Sequence, residues 1–312
     1  MLINTANDLI TSWQETRTGF IEFALEKNRR SKSFIESAKA FRYFASKART
    51  PAALLTIAEI REPLLTASGL SDKSLRYFTE ADKDNAINAL IKNFLEPAGD
   101  DFIDEVVYRY LLIKGDTLGG SMRNVIGALA QQKLIRSLLS VMSLNDMDYK
   151  WLSSGSKIWK TKPKDDYEIE NKMKAISWRN LSGFRTFAFN LTIPVVSKNI
   201  DLCLFSCSTE EYALGRIVTN ANAPIMFGEL KGGIDPAGAD EHWKTANTAL
   251  NRIRASFSNR RNSLLTSFIG AAIEQSMASE IFTQLQDETL SYAANLTKTE
   301  QIYEYCKWLL FL

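Results

Sequence analysis

Two carboxylates and a lysine in the second half of this 312-residue chain have the types and spacing needed for phosphodiester chemistry. Asp201 lies in a short apolar run, and Glu229-Leu230-Lys231 closes the next such run. Short apolar runs bounded by turn residues are typical of buried strands. Two acids and a lysine at the ends of adjacent strands are the groups that metal-assisted cleavage of a phosphodiester requires.

The expected chemistry depends on a hard divalent cation. Such a cation, bound by oxygen ligands, neutralises charge on the transition state and supplies hydroxide near neutral pH. Asp201 and Glu229 can bind one cation together because neighbouring strands lie about 4.8 Å apart. The backbone carbonyl of Leu230 is a candidate further ligand. Lys231 points to the same face of its strand as Glu229, so its ammonium group can hold the attacking water and the scissile phosphate.

The single histidine of the chain, His242, follows these residues in the sequence. It falls in the first turn of a predicted helix that returns to the acids, where a neutral imidazole can orient or deprotonate water. It also borders the apolar face of that helix, so a purely structural role is the open alternative. A zinc site is not expected, because no second histidine or suitable cysteine pair is present.

The composition predicts a globular protein of the cytoplasm. Hydrophobic residues make up 45% of the chain and charged residues 24%, enough to bury a large core in one or two domains. The three cysteines lack metal-ligand spacing and are expected to be reduced and buried. No apolar run reaches the roughly 18 residues of a membrane span. Neither secretion nor membrane insertion is predicted.

Basic residues are concentrated in two segments, although the net charge of the chain is only +2. Either segment can be a solvated surface or a set of phosphate contacts, and charge alone does not decide between them. The first segment contains Lys27, Arg29, Arg30, Lys32, Lys39, Arg42, Lys47 and Arg49, and the second contains Lys150, Lys157, Lys160, Lys162 and Lys164.

The hydrophobic periodicity changes along the chain. Up to about residue 140 it is helical, with one helix expected to end at Lys114-Gly115, and from Trp151 onward it is typical of strands. Asp240 is expected to cap the helix that carries His242. The pattern predicts an α/β fold in which a mixed sheet is flanked by helices. We divide it at about residue 100, with a mainly helical region at 1–100 and the catalytic domain at 101–312.

A resemblance to a known family rests on long segments rather than on the spacing of the acids alone. The most extensive is residues 228–250, GELKGGIDPAGADEHWKTANTAL, and others cover 19–28, 93–99, 119–124, 127–134 and 294–301. Together these segments resemble the AvaI/BsoBI family of type II restriction endonucleases. Asn199-Ile200 stands where many related nucleases have proline before the first acid, and this pair is compatible with that family.

The resemblance implies a restriction-endonuclease-like (PD-(D/E)XK) fold with an added helical region, in a homodimer that surrounds the duplex. It also implies Mg²⁺-dependent cleavage of double-stranded DNA at 5'-C/YCGRG-3', leaving four-base 5' overhangs. Asp201, Glu229 and Lys231 would form the catalytic set, with His242 close by. Such a bacterial enzyme belongs to a restriction-modification system, in which a cognate DNA methyltransferase protects host sites without being a bound subunit.

Three residues are candidates for DNA binding. A site that accepts either pyrimidine must read a feature common to both purines, and N7 accepts a hydrogen bond in both. A single lysine donor suits N7, and Lys198 lies three residues before Asp201. Asp235, in the loop after Lys231, can accept from a cytosine amino group. Arg123 follows Gly119-Gly120, and glycines before a helix would let backbone amides approach a phosphate. Each of the three can instead be an ordinary surface charge.

Two other classes of function remain open at this stage. A DNA repair or recombination nuclease with the same core would share the metal site but cut without this sequence specificity. A non-catalytic DNA-binding protein would bind DNA and show no Mg²⁺-dependent cutting.

Overall fold

The structure is a computed structural model that describes residues 2–156, 158–213, 215–220, 222–258 and 264–312. Lys157 of the second basic segment therefore lies outside the described residues. The chain forms two compact units, which we call the sheet unit (Met1–Phe20 and Val125–Leu312) and the helical unit (Ile21–Asn124). The functional division near residue 100 stays a prediction.

The sheet unit contains one eight-stranded sheet in the order β2-β1-β3-β4-β5-β6-β7-β8. Pairing is antiparallel from β2 to β6 and parallel from β6 to β8, so the predicted mixed sheet is confirmed. The strands are β1 (Tyr149–Ser153), β2 (Trp159–Thr161), β3 (Met173–Asn180), β4 (Gly183–Ile193), β5 (Lys198–Phe205), β6 (Pro224–Lys231), β7 (Leu265–Gly270) and β8 (Tyr292–Asn295).

The helices of the chain vary widely in length. They are α1 (Trp13–Ala45), α2 (Arg61–Ala67), α3 (Glu80–Leu90), α4 (Phe102–Leu144), α5 (Thr209–Ala213), α6 (Ala239–Ser256), α7 (Gln275–Gln286) and α8 (Thr299–Phe311). None of the helices within the described ranges is both long and apolar enough to cross a membrane.

Each face of the sheet is covered by a separate hydrophobic cluster. On one face, which we call the α4 face, Leu134 and Leu138 of α4 pack in the same cluster as Phe187 of β4 and Leu202 of β5. On the other, the α6 face, Trp243 and Leu250 of α6 are fully buried in a cluster that includes Cys203 and Phe227. The central strands β5 and β6 are therefore buried on both sides.

Two helix boundaries differ from the sequence-based expectation. The N-cap of α6 is Gly238, and Asp240 lies within the first turn, where it pairs with Lys244 at 2.5 Å. The prediction that Asp240 caps this helix is thus wrong. An acid inside the first turn is still favourable, because it offsets the partial positive charge of the helix N-terminus.

Helix α4 does not end at Lys114-Gly115, so that prediction is also wrong. It continues to Leu144 and holds Gly115, Gly119 and Gly120 in its interior. A glycine costs about 1 kcal/mol relative to alanine at such a position. The buried side chains of Leu118 and Met122 favour continuation of the helix through the glycines, because they bury apolar surface.

The helical unit has its own core. Phe41 of α1 and Tyr110 of α4 stack there with their ring centroids 5.3 Å apart. Helix α3 continues into a single π-helical turn, Ile91–Leu95, whose apolar residues Ile91 and Leu95 are buried. The helical periodicity of the first half of the chain is therefore confirmed.

Candidate active site

Asp201, Glu229 and Lys231 lie together in the structure, as their spacing predicts. The Nζ atom of Lys231 is 2.6 Å from Oε2 of Glu229 and 3.3 Å from Oδ2 of Asp201. Glu229 is buried, whereas Asp201 and Lys231 are half-buried. One cationic group thus contacts two carboxylates on two adjacent central strands. Glu229 and Lys231 lie at the end of β6, whereas Asp201 lies within β5, so the expectation that both acids end a strand is wrong for Asp201.

The two acids face each other where β5 and β6 stop pairing. The last paired residues on this side are Leu202 and Gly228, one position before Asp201 and Glu229 in the register. Beyond that pair, the backbone N–H of Leu230 donates to Oδ2 of Asp201 at 3.0 Å. In a continued β ladder this N–H would donate to a backbone carbonyl of the neighbouring strand. Here it donates to the side-chain carboxylate of Asp201 instead, and this hydrogen bond fixes the position of Asp201.

Burial and charge act in opposite directions on these groups. Burial, followed by the negative charge of Asp201, raises the pKa of Glu229 from an ordinary 4.5 to about 7. Burial lowers the pKa of Lys231, but the charges of Glu229 and Asp201 outweigh that effect and the net shift is upward. The site therefore favours additional positive charge, because Lys231 only partly offsets the cost of two closely spaced carboxylates.

The donor set fits a hard divalent cation rather than zinc. No group of three or more histidine, cysteine, aspartate or glutamate side chains suited to a metal exists among the described residues. Mg²⁺ needs no such group, because it keeps several waters and is commonly bound by one or two carboxylates plus substrate phosphate oxygens. Asp201 and Glu229 provide these two carboxylates. The candidate further ligand is the backbone carbonyl of Leu230, the residue between Glu229 and Lys231.

His242 is held against the loop that follows Lys231. A Cβ atom built on Gly233 would lie 2.6 Å from Cε1 of His242, whereas one built on Gly238 would lie 3.7 Å from it. The imidazole thus packs directly on the backbone of Gly233, two residues after Lys231. The ring is half-buried, which leaves it accessible from one side.

Gly232, the residue before Gly233, is confined by helix α4. A Cβ atom on Gly232 would lie 2.5 Å from Cβ of Ala130 and 2.8 Å from the carbonyl oxygen of Ile126, both on α4. Contacts this short exclude any side chain at Gly232 without movement of the helix backbone. The loop after Lys231 therefore runs between α4 and the His242 ring.

The two base-reading candidates of the sheet unit are exposed. Lys198 is the first residue of β5 and pairs in register with Ile193 of β4. Asp235 accepts from the backbone N–H of Ala237 at 3.0 Å through Oδ1, so it also caps the short helical turn Pro236–Gly238. Both roles at the DNA stay predictions.

The prediction that a helix begins after Gly119-Gly120, next to Arg123, is wrong. Gly119 and Gly120 are interior residues of α4, so no helix begins there and no free N-terminal amides are available to a phosphate. Arg123 is an exposed residue of the helical unit. A contact between Arg123 and DNA stays a prediction that now depends on its charge alone.

The two basic segments differ in their partners. In the first segment several cations already pair with acids, since Arg29 and Arg30 both contact Glu26. In the second segment Lys160 lies over the ring of Trp151, with Nζ 5.1 Å from the centroid. A role of either segment in phosphate contacts stays a prediction.

Sequence reasoning missed one residue at this site, Asn190 of β4. It lies between Phe189 and Leu191, which pair with Leu202 and Ile200, and so stands directly across from Asp201. Its backbone is left-handed, with φ of 55°. Asparagine adopts this conformation more readily than most residues, which is the only sequence signal available in advance.

The mixed sheet with flanking helices, and the paired acids with a lysine on two of its central strands, define a restriction-endonuclease-like fold. Comparison with known sequences agrees with that class. A sequence model of the family described as "Restriction endonuclease BsobI" matches residues 1–312. The chain therefore belongs to the BsobI restriction endonuclease family, as the sequence resemblance predicts, and it is an enzyme of the type II restriction endonuclease class.

Individual relatives match over almost their full length. The chain is 53% identical over 311 residues to the type II restriction enzyme BsoBI of Geobacillus stearothermophilus, covering 99% of this chain and 96% of the relative. It is 50% identical over 311 residues to type II restriction enzymes AvaI of a Nostoc strain and of Anabaena variabilis, covering 99% of this chain and 98% of each relative.

Proposed function

We propose that this enzyme hydrolyses phosphodiesters of double-stranded DNA at 5'-C/YCGRG-3' in a Mg²⁺-dependent reaction that leaves four-base 5' overhangs. The observation that carries the proposal is the contact of Lys231 with both Glu229 and Asp201 on two adjacent strands. Family membership and the similarity to BsoBI and AvaI support it.

Asp201 and Glu229 would hold Mg²⁺ through carboxylate oxygens, with the carbonyl of Leu230 as a further ligand. Mg²⁺, when bound, neutralises phosphate charge and lowers the pKa of coordinated water. The ammonium group of Lys231, which contacts both carboxylates, would turn toward the scissile phosphate and stabilise charge that develops in the transition state. The length of the lysine side chain permits this movement without any change in the strand.

His242 would act on the attacking water in one of two ways. The imidazole can accept a proton from the attacking water, or it can hold that water while Lys231 and the phosphate control the proton. Either role requires the ring to stay where Gly233 positions it. A substitution that moves the ring but retains the histidine would therefore resemble removal of the ring.

We assign recognition of the DNA sequence to two side chains, one shortly before Asp201 and one shortly after Lys231 in the chain. Lys198, at the start of β5, would donate to purine N7 at the degenerate base pair, since N7 is common to adenine and guanine. Asp235 would accept from a cytosine amino group, and its exposed position at the loop permits this. Arg123 would contribute a phosphate contact.

The proposal extends to assembly and location. A palindromic target is read symmetrically by a twofold dimer with one active site for each strand, so we propose a homodimer. The helical region at 1–100 would contribute to embracing the duplex. The enzyme would act in the bacterial cytoplasm beside a cognate methyltransferase that protects host sites.

Digestion of a sequenced plasmid with Mg²⁺, followed by mapping of the ends, tests this function. Discrete fragments with four-base 5' overhangs at every CYCGRG site are expected. A smear would favour a repair or recombination nuclease, and absence of any Mg²⁺-dependent cutting would favour a non-catalytic DNA-binding protein. The Glu229→Gln variant, with Glu300→Gln as an exposed control acid on α8, should retain DNA binding and lose cleavage.

A further inference from the structure

In β4 and β5, the alternation of side chains between the two faces of the sheet reverses at the position of Asp201. In β4, Phe187 and Phe189 pack on the α4 face, whereas Leu191 and Ile193 pack in clusters of the α6 face. Strict alternation would keep all four odd-numbered residues on one face. The reversal therefore falls at Asn190, the left-handed residue between Phe189 and Leu191.

The same reversal occurs in the neighbouring strand. Leu202 and Leu204 of β5 pack on the α4 face, whereas Ile200, two residues earlier, packs on the α6 face. Asp201 lies at the point of change, directly across from Asn190. It is thus aligned with neither hydrophobic cluster, and its carboxylate can reach the N–H of Leu230 between the strands.

The side chain of Asn190 connects this reversal to α4. Its Nδ2 donates to Oε1 of Gln131 at 2.7 Å. Ala188, two residues earlier in the strand, packs in a cluster with Leu152 and Ala175 and not with α4. By alternation Asn190 would point to the same side as Ala188, so the left-handed backbone is what directs its amide toward α4.

The same segment of α4 contacts the other catalytic strand. Ile126 and Ala130 limit the space at Gly232, the residue after Lys231. Residues 126–131 of α4 therefore touch the chain on both sides of the acids, at Asn190 across from Asp201 and at Gly232 next to Lys231. One helical segment fixes the separation of these two backbone positions.

We propose that Asn190 and Gln131 are positioning residues that set the location of the Asp201 carboxylate and thereby the affinity of the site for its divalent cation. This inference rests on the proposed function. Groups that orient metal ligands commonly contribute 10- to 100-fold to metal affinity or activity, roughly the size of effect expected here. Neither residue needs to contact the substrate for this role.

Three variants test the inference. Gln131→Met removes the acceptor but keeps the length and helix propensity of the side chain. Gln132→Met makes the same change one residue along the helix and serves as the control. Asn190→Gly keeps the left-handed backbone and removes the amide. We would measure Mn²⁺ binding to the DNA-free protein by electron paramagnetic resonance, together with the Mg²⁺ dependence of single-turnover cleavage.

Gln131→Met and Asn190→Gly should each weaken Mn²⁺ binding by about 10-fold and raise the Mg²⁺ concentration for half-maximal cleavage similarly. The double variant should be no worse than either single one, because both break the same hydrogen bond. Gln132→Met should behave as the parent, and the thermal midpoints of the two methionine variants should agree within about 2–4 °C.

Parent-like Mn²⁺ affinity in both test variants, or an equal loss in Gln132→Met, would overturn the inference. If Asn190→Gly did not fold, Gln131→Met alone would decide it, because its backbone is unchanged. A parent protein that neither cleaves DNA nor binds Mn²⁺ would instead overturn the proposed function itself.

Discussion

The Nζ atom of Lys231 lies 2.6 Å from Oε2 of Glu229, the acid two residues earlier on the same strand. Side chains two residues apart on a strand point to one face, so this contact follows from the sequence spacing. It holds the ammonium group of Lys231 against the carboxylates. Substitutions at either residue therefore have consequences for charge as well as for chemistry.

Removal of the lysine charge should abolish efficient cleavage. We expect Lys231→Met to reduce the single-turnover rate by about 10²- to 10³-fold, the usual cost of removing a group that stabilises transition-state charge. DNA binding should remain, since the remaining surface cations are unchanged. Rapid-quench cleavage and a binding assay with Ca²⁺ in place of Mg²⁺ measure the two quantities. Cleavage near the parent rate would remove Lys231 from the mechanism.

The stability of the metal-free protein should depend on pH through Glu229. Its pKa is raised to about 7 in the folded protein, so the folded state keeps a proton that the unfolded chain loses above pH 4.5. The contribution of this carboxyl to stability therefore falls as pH rises from about 4.5 to 7. Glu229→Gln removes that loss.

In EDTA, Glu229→Gln should match the parent near pH 5 and exceed it at pH 8 by roughly 1 to 3 kcal/mol, while cleavage is lost. Denaturant unfolding at the two pH values measures the difference. The exposed-acid variant Glu300→Gln should show no such pH dependence. An advantage for Glu229→Gln that is equal at both pH values would contradict this assignment.

The position of His242 can be tested without replacing it. Gly233→Ala should displace the imidazole, because the new methyl carbon would lie 2.6 Å from Cε1. We expect its cleavage rate to fall to that of His242→Ala, and the double variant to be no slower. Gly238→Ala is the matched control, since its methyl carbon would make an ordinary contact at 3.7 Å. Steady-state and single-turnover rates for the four variants decide the matter.

Lys198→Ala tests reading of the degenerate base pair. Loss of a donor to purine N7 should slow cleavage about 10-fold at sites with either purine, as a base contact contributes about 1–3 kcal/mol. Lys174→Ala, at another exposed lysine of the sheet unit, provides the control. Rates on CTCGAG, CCCGGG and CTCGGG duplexes are compared. Parent-like rates on all three would exclude Lys198 from base recognition.

The thiols should be unreactive in the folded protein. Cys203, Cys207 and Cys306 are buried and are not disulfide-bonded, and burial raises the pKa of all three thiols, that of Cys207 to about 11. Little thiolate is therefore available at pH 8. Titration with a colorimetric disulfide reagent should detect three thiols only after denaturation. Rapid reaction of one thiol in the native protein would contradict the described burial.

Much of the sheet follows from the sequence because strand burial leaves a clear pattern. The apolar runs that contain Asp201 and end at Glu229 predict β5 and β6, and the stripe through Trp243 and Leu250 predicts α6. Chemistry then selects the two acids and the lysine. These elements are predictable because each depends on residues close together in the chain.

Other features depend on contacts that local patterns do not record. Strands β2 and β3 and the short β8 lack long apolar runs and form through pairing with their neighbours. Continuation of α4 through Gly115 depends on burial of later residues. The role of Asn190 depends on a backbone angle and on Gln131, which is 59 positions away in the sequence.

The end of the β5–β6 ladder at Leu202 and Gly228 has a thermodynamic consequence. Because the two acids lie beyond the last residues that pair between β5 and β6, no backbone hydrogen bond between these strands fixes their separation. It is held by the hydrogen bond from Leu230 to Asp201 and by the contacts of Lys231 with both acids, so it can change with the eight strands intact. Binding of a cation would therefore be a separate event from folding. We expect the chain to reach its native state in metal-free solution. The repulsion between the carboxylates of Asp201 and Glu229 is then already present in the folded protein and favours binding of a cation.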